Sequence, residues 1–104
     1  MSNNKVRYYL YRIYALLKSG NIDVTFQRSS RYQGQTDQIT TIYLSPNDRI
    51  FPTLIHECLH FIYPDWSETN VLVAERMIFA KLTEQQIRNL FQRMAYAIYI
   101  SDHH

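Results

Sequence analysis

The chain is 104 residues long, 46% hydrophobic and 19% charged, the composition of a folded protein rather than a disordered one, with room for one core, so a single domain over residues 1–104 is expected. Its single cysteine excludes an internal disulfide framework, and a net charge of +2 does not by itself imply a nucleic-acid partner. Arg7 and Arg12 interrupt the first apolar run, so it does not read as a signal peptide, and no uncharged run approaches bilayer length. A cytoplasmic, non-membrane protein is the expectation.

Val6, Leu10, Ile13 and Leu17 recur at the spacing of a helix with one buried face, and Ser19-Gly20-Asn21 supplies a stop. "IDVTFQ" then alternates Ile22, Val24 and Phe26 with polar neighbours, the period of a half-buried strand. The polar "RSSRYQGQTD" reads as a loop or hairpin connection, and "QITTIYL" as a second strand rich in β-branched residues. From about Asp48 the chain reads as helical, with Pro52 tolerable only in a first turn. Pro64 ends that helix, and Ser67 caps the next, which carries Val71, Ala74, Ile78 and Leu82 on one face. Thr83 and Gln86 form a capping box for a last helix with Ile87, Leu90, Phe91, Met94 and Ile98 expected inward. The order is one helix, two or three strands, then three helices: an α+β domain.

The stretch "LIHECLHFIYPDWSE", Leu54 to Glu68, carries the chemistry. Residues four apart on a helix differ by about 40° and about 6 Å, so the rings of His56 and His60 can converge on one ion. Glu57 projects roughly 100° from His56, too far round to be an equal ligand yet close enough to reach a metal-bound water, where a general base belongs. A third protein ligand leaves a fourth position for water. Glu68 suits that role because the "YPDW" turn returns the chain beside His60 and a helix first turn favours an ionised carboxylate. Glu75, about two turns further along the same face, is the alternative third ligand.

"HECLH" on a helix after a strand resembles the zincin-like metallopeptidases, and "HECLHFIYPDWSE" is similar to small metallopeptidase-like domains of phages and prokaryotes of the form HELLHxxxPDLSE. The resemblance spans roughly Thr40 to Ala80. It implies a minimal zincin-like domain holding one zinc ion on His56, His60 and Glu68, with Glu57 as base. It also implies a peptide or protein substrate hydrolysed through a metal-activated water, and "TTIYLS" as an edge that pairs with extended substrate. Tyr43 and Tyr63 are the candidates to stabilise the oxyanion. No glycine and third histidine follow His60 at metzincin spacing.

Cys58 lies about 200° from His56 and is expected in the core. His103 and His104 are expected to fray. The first helix, "RYYLYRIY", interleaves Arg7 and Arg12 with tyrosines, a pattern that could grip nucleic acid but is more simply read as aromatics at a helix rim. Two other functions therefore stay open. In one, the zinc site is non-catalytic and the first helix binds nucleic acid or protein. In the other, a non-enzymatic phage-type protein assembles, as a homo-oligomer or with a partner, through the apolar "FQRMAYAIYI".

Overall fold

The computed structural model describes residues 3–26, 41–44 and 49–102. Its elements are α1 (Asn3–Ser19), β1 (Asp23–Phe26), β2 (Thr41–Leu44), α2 (Ile50–Ile62), α3 (Glu68–Ala80) and α4 (Glu84–Asp102). The architecture is α+β, four helices around a two-stranded sheet.

The helix α1 forms where expected, with Val6, Leu10, Ile13 and Leu17 all buried. It stops at Gly20, whose φ of 78° is cheap only without a Cβ. The first strand opens at Asp23 rather than Ile22, and Gln27 and the part of "QITTIYL" before Thr41 lie outside the described residues. Their pairing corrects one expectation. β1 and β2 are parallel, with Val24 opposite Ile42 and Phe26 opposite Leu44, so they cannot be the arms of a hairpin. Parallel strands need a crossover of a dozen or more residues, and residues 27–40 provide that length.

The outer side of β1 is closed by a side chain. Val24 donates its backbone N–H to Ser101 Oγ at 2.9 Å, and that hydroxyl donates to the Ala97 carbonyl at 2.7 Å. The last helix is thereby pinned to the first strand, and a backbone donor that the two-stranded ladder leaves over is satisfied.

Between these elements lies one core, made of the α1 face, Val24, Ile42, Leu44, Leu54, Ile55, Leu59, Val71, Ile78 and Leu90 among others. Each such side chain, fully buried, contributes about 1.5–3 kcal/mol relative to exposure. Cys58 is fully buried among them, as expected. The inward face of α4 differs from the expected one. Leu90, Met94 and Ala97 are buried, whereas Ile87 is 36% and Phe91 55% exposed. The stripe is rotated because Ala97 and Ser101, small side chains that let the helix approach β1 closely, occupy it in place of the larger apolar residues.

Candidate metal centre

Local signals build the centre from one helix, one turn and the start of the next helix. α2 opens with Pro52 buried at its third position, where the backbone has no donor to lose, and Thr53 N–H closes the first turn on the Arg49 carbonyl at 2.9 Å. The helix ends at Ile62, because Pro64 cannot continue it. Tyr63 to Trp66 then make a turn closed by Trp66 N–H on the Tyr63 carbonyl at 3.0 Å, with Pro64 in the position that a fixed φ suits. Ser67 caps α3 by accepting from the Asn70 N–H at 3.1 Å, as its sequence position predicts. Glu68 is therefore the first helical residue, held at the positive end of α3.

The turn is locked to α1 by aromatic rings. Tyr63 and Trp66 stack with centroids 4.2 Å apart, and Tyr9 meets both edge-on at 5.7 Å. Arg12 lies 5.2 Å from the Tyr63 ring centre and donates to the Tyr63 hydroxyl at 3.4 Å. The Tyr63 phenol titrates above its ordinary range because burial disfavours the phenolate, an effect that Arg12 partly opposes. Neither Tyr9 nor Trp66 is marked by the sequence as part of the site. The available signal was the pair of aromatics flanking Pro64-Asp65.

With those elements fixed, the polar groups converge. His56 Nε2 and His60 Nε2 are 3.2 Å apart. The Glu68 carboxylate reaches both, with Oε1 2.7 Å from His56 Nε2 and Oε2 2.9 Å from His60 Nε2. Glu57 is buried, and its Oε2 stands 4.0 Å from His56 Nε2. His56, Glu57 and His60 offer ligand atoms that all lie within 4.8 Å of one another. By distance Glu68 is closer to both imidazoles than Glu57 is to His56, so Glu68 is the better third donor.

Glu75 occupies a different place. Its Oε1 lies 3.0 Å from His56 Nδ1, the ring nitrogen turned away from His60 and Glu68, and the residue is only 6% exposed. A carboxylate accepts, so Glu75 favours the tautomer with its proton on Nδ1, in which the Nε2 lone pair would be free for a cation held between His56, His60 and Glu68. Glu75 thus has the geometry of a residue that orients a ligand rather than that of a ligand.

The donor set fits a metal. A tetrahedral ion with bonds of about 2.0–2.1 Å separates its ligand atoms by about 3.3 Å, close to the spacing of the two Nε2 atoms. Two imidazole nitrogens this close, both beside one carboxylate, are an arrangement that a shared cation would satisfy. Two imidazoles and a carboxylate are also a donor set that zinc takes.

Other expected participants fall elsewhere. Cys58 faces the core, where burial pushes its thiol pKa up and the neighbouring Glu57 charge adds to the effect. Tyr43 stands half-buried on β2. His103 and His104 lie outside the described residues, as does the whole of the polar connection "RSSRYQGQTD". Among the described residues, no helix is long and apolar enough to cross a membrane. Comparison with protein-family models, with curated proteins and with solved structures finds no match to this chain, so the reading of the centre rests on its own geometry.

Proposed function

We propose that the protein is a zinc-dependent hydrolase of peptide bonds, of the zincin-like kind that "HECLH" resembles. One observation carries the reading: His56, His60 and Glu68 bring three donor groups to one point, with the buried Glu57 carboxylate 4.0 Å from the nearest of them. When bound, zinc supplies a water of lowered pKa and a Lewis acid for the scissile carbonyl. Every other part of the chemistry falls to this chain's residues.

His56 and His60 would hold the ion through Nε2, and Glu68 would complete the protein's share while compensating its charge. Glu75 fixes the His56 tautomer and ring plane. Glu57 is the general base. Its Oε2 stands 4.0 Å from His56 Nε2, too far to be tied up by that nitrogen; it would take a proton from a metal-bound water as that water attacks the scissile carbonyl, and pass it to the substrate nitrogen that leaves as the C–N bond breaks. Burial keeps bulk water from competing for that proton.

The test separates holding from catalysis. Glu57→Gln binds zinc as the parent does, read by competition titration, and loses hydrolysis of an unfolded protein substrate. Glu68→Ala loses zinc affinity by orders of magnitude, since two imidazoles seldom retain the ion alone. A parent chain that binds one zinc but cleaves no unfolded substrate reduces the site to a non-catalytic zinc module. A chain purified without chelators that takes up no zinc at all removes the reading.

A further inference from the structure

We propose a second binding site, for the backbone of single-stranded nucleic acid, in the groove between α1 and α4. The helices run side by side in the same direction. Tyr14 of α1 donates its hydroxyl to the Gln86 carbonyl of α4 at 3.1 Å, and further along Lys18 lies beside Arg93 and Tyr96.

Three depressions follow the seam. One, about 140 Å³, is lined by Val6, Arg7, Lys81, Thr83 and Gln86. The second, about 210 Å³, takes in Tyr11, Tyr14, Lys18 and Arg93. The third, about 280 Å³, has Lys18, Gln92, Arg93 and Tyr96. Four cationic side chains line them, and no carboxylate does. The whole of α1 carries Lys5, Arg7, Arg12 and Lys18 with no acidic residue, while Glu57, Glu68 and Glu75 are gathered at the metal centre.

Lys18 and Arg93 are the centre of the site because each lines both larger depressions. Neither forms an ion pair with a described residue. Arg93 is held rather than loose. Its guanidinium carbon lies 4.7 Å from the Tyr14 ring centre, and its Nε is buried without a hydrogen-bond partner. That arrangement fixes the side chain at the seam with its charge uncompensated, ready for an anion.

Exposed rings decide the kind of anion. Tyr11 is 71% exposed and Tyr96 48% exposed, both beside these cations. An acidic peptide would use the charges and leave the rings in water. A strand with unpaired bases uses both, its phosphates on Lys18 and Arg93 and its bases stacked on tyrosine faces. From Arg7 to Lys18 the cations span about 16 Å along α1, room for a few nucleotides of extended strand.

The experiment is fluorescence anisotropy of a labelled oligothymidylate with the full chain at stepped potassium chloride. The parent binds at low salt, with an affinity that falls linearly on a log–log salt plot. Lys18→Glu combined with Arg93→Gln weakens binding at least tenfold and flattens that slope by about 1.4, the share of two single-strand phosphates. Tyr11→Ala weakens binding and leaves the slope alone. A cooperative thermal melt matching the parent's shows that each variant is folded. Lys18→Gln, at an exposed position, carries the test alone if the Arg93 change disturbs packing on Tyr14. No binding at low salt, or variants that bind as the parent does, overturns the proposal. Equal displacement by polyglutamate overturns it in favour of an acidic peptide, and equal affinity for a duplex overturns the single-strand assignment.

Discussion

The two nitrogens of the His56 ring face different carboxylates, and this divides the labour between Glu68 and Glu75. Both were legible in the sequence as acids that could reach the histidines. The sequence favours Glu68 as the ligand and offers Glu75 as an alternative ligand or a residue that orients a histidine, because spacing along a helix places a residue on a face but does not say which atom of a ring it meets. Glu75→Ala therefore leaves zinc bound but weakens it by about 10–100-fold, as loss of an orienting partner does. Glu75→Gln recovers part of that loss through its amide oxygen, whereas Glu68→Gln recovers less because the charge itself is missing. Competition titration with a chromophoric chelator reads all three. Equal loss of zinc in Glu75→Ala and Glu68→Ala would contradict the division.

Among the elements, the helix boundaries that local chemistry sets are those that the sequence shows. Ser67 caps α3, and Thr83 and Gln86 exchange their bonds at 3.1 and 2.8 Å to open α4. Each cap is worth about 1 kcal/mol, yet only one sits next to a proposed ligand. Ser67→Ala lowers stability by about that amount and also lowers zinc affinity, since the first turn of α3 that presents Glu68 frays. Thr83→Ala costs a similar amount of stability and leaves zinc affinity unchanged. Paired thermal melts and titrations make the comparison, and a Thr83→Ala variant that loses zinc as Ser67→Ala does would show that Glu68 depends on the whole bundle. What the sequence hid at this scale is non-local. The parallel register of β1 and β2 depends on residues far apart in the chain, and the inward stripe of α4 is set by Ala97 and Ser101, whose small size carries no hydrophobic signal.

At the scale of the whole molecule, the small core makes a bound ion count. A domain of this size is stable by only about 5–15 kcal/mol, and zinc at 100 times its Kd adds about 2.7 kcal/mol because it binds the folded chain alone. Chelation therefore lowers the melting temperature by several degrees, and added zinc restores it. In Glu68→Ala the melting temperature does not respond to either treatment. A parent chain indifferent to chelator, after zinc binding has been shown, would mean that the unfolded chain holds the ion as well as the folded one.

All the donors, from His56 to Glu75, belong to one helix-turn-helix, whereas α1 and β1 close against α4 through Tyr14, Val24 and Ser101. The two sets of contacts differ in the loop that each must close, and a short loop closes at lower entropic cost and sooner. As the chain is synthesised from its N-terminus, α2 and α3 emerge with their full donor set while α1 and β1 still wait for the helix that covers them. The metal-centre residues thus come from neighbouring stretches of chain, whereas the clasp between the first helix and the last is the contact that closes the longest loop.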